Sequence, residues 1–262
     1  MTRPGIGAKR ELGQHFLVDE NILGVIDRLA ALQSADVVLE VGAGLGVLTR
    51  YLAARVSRVH AVELDTELEP RLREVLQGAV NVDLVFGDAM QLPLGDLEPR
   101  PTKLVANLPY SIATPLCVES LDGLPTIERW CVMLQREVAD RFVAEPGSRS
   151  YGAVSVLVQL TCERTGFHPV ARTCFRPPPN VDSALVALVR RHSWGAEYPR
   201  LKRVVQAAFA HRRKTLANSL ELAGVAPRER TAGALGVLGR RAEARAEALT
   251  PEELVELTRL LG

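Results

Sequence analysis

The sequence predicts an α/β fold: a doubly wound, mostly parallel sheet followed by a small all-helical domain. Three observations predict it. Short apolar runs alternate with helical patterns through residues 37–144. The runs are mostly apolar, as in strands buried on both faces. Beyond Trp194 the strand pattern stops and helical spacing alone remains. The 262 residues suffice for one large domain plus a small one, and we place the boundary near 193, giving domains 1–192 and 193–262.

The elements follow in order. Asp19 is an N-cap for a helix reaching Leu32, with Ile22, Val25, Ile26 and Leu29 at helical spacing. Val37–Val41 reads as a buried strand, ending in Gly42-Ala43-Gly44-Leu45-Gly46 and a helix over 47–54. Val59–Val62 is a second strand, ending at Glu63-Leu64-Asp65, with a charged helix over 66–77. Val82–Phe86 is a third, ending at Gly87-Asp88-Ala89. Leu104–Ala106 is a fourth, ending at Asn107-Leu108-Pro109-Tyr110, with a helix over 115–121. Trp130–Leu134 is a fifth, with a helix over 136–144. Ala153–Cys162 reads as helix, although its β-branched content leaves a strand open. Phe175-Arg176-Pro177-Pro178-Pro179-Asn180 is expected to be irregular. Val181–Val189 reads as an antiparallel strand at the sheet edge. Helices over 201–221, 227–238 and from Thr250 complete the chain. The last is marked by an N-cap threonine, a proline at N1 and a capping-box glutamate.

At 47% hydrophobic and 24% charged, the chain has the composition of a soluble globular protein. No apolar run approaches a membrane span, and the N-terminus lacks the apolar core of a signal peptide. A cytoplasmic monomer is the expectation. Cys117, Cys131, Cys162 and Cys174 show no metal-ligand spacing and read as isolated reduced thiols, so no metal is implied. The net charge is +1, yet residues 190–230 hold ten Lys or Arg against three Glu. That excess points to a polyanionic partner, or to a solvated helix face.

In doubly wound sheets ligands bind beyond the carboxyl ends of the strands, and four polar motifs fall at that edge. Gly42-x-Gly44-x-Gly46 lets backbone approach a ligand closely, but position 47 is Val, so the full dinucleotide fingerprint is absent. The turn therefore suits a small uncharged or zwitterionic group better than a phosphate; a tight structural turn is the alternative. Glu63 can accept from both ribose hydroxyls. Asp88 can accept from an adenine amino group. Together they describe a nucleoside site, for which NAD and S-adenosylmethionine (SAM) are both candidates; the missing glycine favours SAM.

Asn107-Leu108-Pro109-Tyr110 suits a different ligand. An exocyclic adenine nitrogen is a poor nucleophile because its lone pair is delocalised into the ring. Two acceptors, the Asn107 side-chain oxygen and the Leu108 carbonyl, can draw it towards a tetrahedral geometry. Pro109 disfavours helix at Leu108, and Tyr110 offers a stacking face to an unstacked base. Phe175 is a candidate for the second face, with core packing as its alternative.

Several stretches together, in order from about residue 9 to the C-terminus, resemble the KsgA-type rRNA adenine dimethyltransferases. They are Gln14-His15-Phe16-Leu17, Glu40 to Gly44, Glu63-Leu64-Asp65, Gly87-Asp88-Ala89, Asn107 to Tyr110, Phe175 to Pro179 with Val181-Asp182-Ser183, and Ala208-Phe209 through Arg212-Arg213-Lys214-Thr215-Leu216. The resemblance implies a Rossmann-like class I SAM-dependent methyltransferase. Its reaction would be N6,N6-dimethylation of two adjacent adenines in a hairpin near the 3′ end of 16S rRNA in the small ribosomal subunit. It implies that SAM touches His15, Leu17, Gly42, Glu63, Asp88 and Asn107. It also implies that the helical domain docks on the subunit, with Arg212, Arg213 and Lys214, expected on a helix, contacting phosphates. At position 15 the family commonly has Asn, and Ser111 and Ala113 stand where it often has Asn and Ser.

Three other readings compete. A large-subunit rRNA methylase of the macrolide-resistance type or a DNA adenine methylase would more typically carry Ile for Leu108 or a Pro-Pro-Tyr form. A non-catalytic assembly factor would not need Asn107–Tyr110 intact. An NAD-dependent oxidoreductase would need the glycine that Val47 replaces.

Overall fold

Each apolar run expected as a strand before residue 140 takes its place in a single sheet. The computed structural model describes residues 14–262. Its strands are β1 (Phe16–Leu17), β2 (Val37–Val41), β3 (Arg58–Glu63), β4 (Val82–Phe86), β5 (Lys103–Asn107), β6 (Arg129–Gln135), β7 (Cys162–Val170), β8 (Phe175–Arg176) and β9 (Ser183–Arg190). The helices are α1 (Glu20–Ala30), α2 (Val47–Ala53), α3 (Glu69–Val75), α4 (Tyr110–Gly123), α5 (Arg136–Phe142), α6 (Ala153–Thr161), α7 (Tyr198–Phe209), α8 (Leu216–Leu222), α9 (Arg228–Val237) and α10 (Pro251–Leu260). Among the described residues no helix is long and apolar enough to cross a membrane.

Seven strands form one sheet in the order β4-β3-β2-β5-β6-β9-β7, while β1 and β8 pair separately and antiparallel. From β2 the chain winds outward through β3 and β4; it then returns to the other side of β2 for β5 and β6. All of these pairs are parallel, and β9 runs antiparallel to β6. The switch of direction lies between β2 and β5, where doubly wound sheets open a crevice. The turn after β2 and the end of β5 therefore face each other. On one side, α1 buries Ile22, Leu23, Ile26 and Ala30. Its N-cap is Asp19, which accepts from the Asn21 amide at 2.9 Å.

The structure corrects the sequence reading at five places. The strand after residue 181 is not at the edge, because β7 lies outside it. The sequence missed β7 because its residues are polar and include Gly166 and Pro169. An edge strand tolerates that composition, since one of its faces and one row of its backbone groups meet water. Phe175–Arg176, expected to be irregular, pairs with Phe16–Leu17 as β8. Helix α4 begins at Tyr110, five residues before the expected start, and carries Pro115 inside it. The helix expected over 201–221 is two helices, broken at 210–215. There Thr215 caps α8 by accepting from the Asn218 amide at 3.3 Å. Finally, Arg190 is not part of an open basic surface. It donates to the carbonyls of Leu121 (2.7 Å), Leu124 (3.1 Å) and Ile127 (2.8 Å), closing the C-terminal end of α4, and its guanidinium lies 4.9 Å from the Trp130 ring centre.

The chain divides into two compact units. One runs up to Ala139 and includes Arg164–Arg190; the other comprises Asp140–Glu163 with Arg191–Gly262. The sequence draws one boundary near 193, whereas the chain passes between the units at 139/140, 163/164 and 190/191. Within the second unit, Tyr151, Leu201, Val205, Leu216, Leu235 and Leu254 are buried. The Tyr151 hydroxyl donates to the Leu249 carbonyl at 3.0 Å. Thr250 and Glu253 close the expected capping box of α10, and Arg240 holds the Glu253 carboxylate through two bonds of 2.7 Å.

Candidate nucleoside and adenine site

The crevice at the switch point is built first by glycines. Gly42 and Gly44 have φ of +85° and +57°, a region that side chains with a Cβ rarely enter. A Cβ on Gly42 would stand 3.0 Å from Pro109 Cδ, and one on Gly44 would stand 3.1 Å from the Phe16 ring. The glycines thus make room for Pro109 and the Phe16 ring, which line the same cleft.

Glu63 ends β3 and is 7% exposed. Its Oε2 accepts from the Gly44 amide at 2.8 Å and its Oε1 from the Asp65 amide at 2.9 Å. Each oxygen keeps a further lone pair, so an oriented carboxylate faces the cleft with acceptor capacity left. Asp88 is held similarly after β4: Oδ1 accepts from the Met90 amide at 2.9 Å and Oδ2 from the Gln91 side chain at 3.0 Å. Between them, Leu64, Ala89 and Ile112 add apolar lining, and Leu64 is 54% exposed.

Asn107 ends β5. Its Nδ2 donates to the His15 carbonyl at 3.0 Å. That bond fixes the amide, leaving Oδ1 as the free acceptor on the cleft side. Leu108 is 2% exposed, with its side chain in the core. Pro109 precedes α4 as its N-cap residue, in an extended conformation with ψ of 126°. Tyr110 opens α4, and its hydroxyl shares a 2.6 Å hydrogen bond with Ser183 Oγ. Burial pushes the Tyr110 phenol above its ordinary value, so it stays neutral. The His15 ring lies 5.7 Å from the Tyr110 ring, tilted by 32°. His15 Nδ1 is 2.8 Å from the Pro177 carbonyl.

One cleft thus brings together His15, Gly42, Glu63, Asp88, Asn107, Leu108, Pro109 and Tyr110. Leu17 is displaced from it: it is 6% exposed, belongs to the core, and lines a small recess beside Gly42. Phe175 is not part of the cleft either. It is 1% exposed, its backbone pairs with Leu17, and its ring packs in the core. Core packing, the alternative weighed for this ring, claims it in this structure. Phe16 instead lines the cleft and lies against the glycine turn.

Arg212, Arg213 and Lys214 lie in the turn between α7 and α8, not on a helix. Arg212 donates to the Arg149 carbonyl at 2.7 Å. All three residues are exposed.

The sequence reading missed Glu40. It is 1% exposed within β2, beside the equally buried Thr49. Burial pushes its carboxyl up to about 8; a hydrogen bond from Thr49 opposes the shift and the nearby Glu63 charge adds to it. It lines the recess next to Gly42, Gly44 and Asn107. The readable signal was a lone charge inside an otherwise unbroken apolar strand, Val37-Val38-Leu39-Glu40-Val41. Among the described residues no cluster of three or more His, Cys, Asp or Glu could hold a metal ion.

The chain matches the family described as Ribosomal RNA adenine dimethylase over residues 6–257. It is 46% identical over 255 residues to the Ribosomal RNA small subunit methyltransferase A of Rubrobacter xylanophilus, covering 97% of this chain and 95% of that protein. The protein of the same name from Lactiplantibacillus plantarum is 43% identical over 267 residues, covering 97% and 90%. Among solved structures, a dimethyladenosine transferase from Plasmodium falciparum superposes with a TM-score of 0.76 at 25% identity, covering 93% of this chain and 96% of that one. The 23S rRNA methyltransferase ErmE superposes at 0.66 and 31% identity, covering 94% and 99%.

Proposed function

We propose, from the premise that this chain belongs to the ribosomal RNA adenine dimethylase family, that its cleft binds SAM and presents adenine N6 of 16S rRNA for two successive methyl transfers. The chain is a methyltransferase of the class I α/β fold. Its substrate on this reading is the pair of adjacent adenines in the 3′-terminal hairpin of the small-subunit rRNA. It acts in the cytoplasm, as a monomer.

The residues present fit SAM. Gly42 and Gly44 line the cleft with backbone, and Glu40, beside Thr49, is a buried carboxyl in the adjoining recess. A carboxylate so placed, once ionised, suits an ammonium group. Glu63 takes the ribose hydroxyls and Asp88 the adenine amino group, with Leu64, Ala89 and Ile112 against the ring. SAM supplies a methyl group on a positively charged sulfur.

The target base is held by other groups. It leaves its stack and lies on Tyr110. Asn107 Oδ1 and the Leu108 carbonyl accept from its amino group, which localises the lone pair on N6 and aims it at the methyl carbon. Positioning and oriented dipoles do the catalytic work. The observation that carries this reading is the bond from Asn107 Nδ2 to the His15 carbonyl, which leaves the amide oxygen, and not its nitrogen, for the amino group.

The second unit is the candidate for docking on the subunit, with Arg213 and Lys214 presenting exposed charge to phosphates. The test is incubation with methyl-labelled SAM and separated ribosomal subunits, followed by nucleoside analysis. Label in N6,N6-dimethyladenosine of 16S rRNA is expected. Label confined to 23S rRNA would favour the large-subunit reading, and none in either would remove both.

A further inference from the structure

We propose that Ser183 is a positioning residue for the methyl transfer, its hydroxyl anchoring the Tyr110 ring on which the target adenine stacks; this rests on the reading of the cleft given above. Ser183 Oγ lies 2.6 Å from the Tyr110 hydroxyl, at the short end of the range for O–H···O bonds. Ser183 is 0% exposed, whereas Tyr110 is half-buried and lines the cleft. A buried hydroxyl needs a partner. In a strand that continues Ala184-Leu185-Val186-Ala187-Leu188-Val189, the phenol supplies it.

The sheet holds this anchor still. Strand β9 pairs with β6 through seven consecutive residues, from Ser183 opposite Gln135 to Val189 opposite Arg129. Just before Ser183, the Asp182 carbonyl accepts from the Arg136 amide at 2.9 Å, and Asp182 Oδ1 accepts from the Arg172 amide at 3.4 Å. The same register ties the anchor to the acceptor amide. Asn107 lies opposite Met133, and Met133 opposite Leu185, so one row of residues crosses β5, β6 and β9. Ser183 stands two residues beyond that row on β9, and Tyr110 stands three residues beyond it on the chain leaving β5. Asn107 and the anchor of Tyr110 are thus carried by one sheet, the kind of rigid support a reacting geometry needs.

Tyr110 is tethered at one end by its backbone, as the first residue of α4, and at the other by its hydroxyl. Two fixed ends hold the ring in one χ1 rotamer. The His15 ring packs 5.7 Å away, but His15 Nδ1 is engaged with the Pro177 carbonyl at 2.8 Å, so the polar hold on the phenol comes from Ser183. A stacked base takes its orientation from the ring beneath it. Its amino group meets both Asn107 Oδ1 and the Leu108 carbonyl at one orientation, and a misplacement of about 1 Å costs on the order of 10²-fold in rate. The Ser183 hydroxyl therefore acts on the transfer through Tyr110, without touching either substrate.

Ser183→Ala, Tyr110→Phe and the double variant separate this role from a structural one. Each single change keeps the aromatic ring and removes the bond between the two hydroxyls. On small subunits at saturating SAM, each should lower kcat about tenfold, short of the cost of a full misplacement. Affinity for SAM, measured by calorimetric titration, should match wild type, because the bond lies on the base side of the cleft. The double variant should be no slower than either single one, since both remove the same bond. A purely structural bond would lower the melting temperature and leave kcat at the wild-type level wherever the fold is intact; that result in Ser183→Ala would overturn the proposal. Losses of kcat that multiply in the double variant would overturn it too. Should Ser183→Ala not fold, wild-type kcat in Tyr110→Phe overturns the proposal in its place. Failure of the wild-type protein to methylate 16S rRNA would instead remove the underlying reading, so the two failures are distinguishable.

Discussion

The cleft and the basic turn of the helical unit are both candidate contacts to RNA, and they are built in opposite ways. In the cleft the polar groups are oriented. Glu63 is fixed by two backbone amides, Asn107 by the His15 carbonyl, and Tyr110 by Ser183. In the turn, Arg213 and Lys214 are exposed side chains on an irregular segment. Chemistry at one nitrogen requires atoms held within a fraction of an ångström, and phosphate attraction requires only nearby charge. Substitutions should therefore act steeply in the cleft and gradually in the turn.

Gly42→Val should have the largest effect of the changes that probe this contrast. It forces a side chain into a backbone region with φ of +85° and against Pro109. Cofactor affinity should fall by at least about a hundredfold, in keeping with αL strain of roughly 1–2 kcal/mol added to a direct clash. Calorimetric titration with SAM would measure it, and wild-type affinity would mean that the turn does not meet the cofactor.

Glu40→Gln should act next, through pH. The folded protein raises this carboxyl from 4.5 to about 8, so the native state holds the proton more tightly than the unfolded chain. The contribution to stability is complete below the unfolded value and is lost as pH rises through the folded one. Wild-type stability should decline from about pH 4.5 to 8, by a few kcal/mol at most, and Glu40→Gln should flatten that decline. Denaturant melts across this range would show it. At pH 8 the variant should also bind SAM more weakly, because an amide cannot meet an ammonium with a full charge.

Neutralising Arg213 and Lys214 together should have the smallest effect. Subunit binding should weaken modestly, and the slope of log affinity against log salt should shrink by about 1–2, one step per lost phosphate contact. An unchanged slope would leave the turn a solvated segment.

The sequence made the sheet legible because β2, β3, β5 and β6 are buried almost from end to end and most of the parallel strands end in recognisable motifs. Val37–Val41 and Val82–Phe86 have the same bounds in sequence and structure. Strand β7 escaped because it lacks an apolar run: seven of its nine residues, Glu163 through Pro169, are exposed or half-buried. The motif residues at strand ends could be nominated from spacing alone, and the cleft collects Gly42, Glu63, Asp88 and Asn107. What spacing could not carry were contacts between distant segments. His15 meets Pro177 across 162 positions, and Arg190 meets the end of α4 across 69. Phe175 shows the converse, since a ring beside three prolines reads equally well as a stacking face or as core.

The most direct test of the account is the turnover of Asn107→Ala at saturating SAM on 16S rRNA in small subunits. Removing the oriented amide oxygen should lower the methyl-transfer rate by about 10²-fold or more, the scale found for single preorganised hydrogen-bonding groups, while SAM still binds. Turnover equal to wild type would contradict the central claim that Asn107 Oδ1 holds the amino group for transfer.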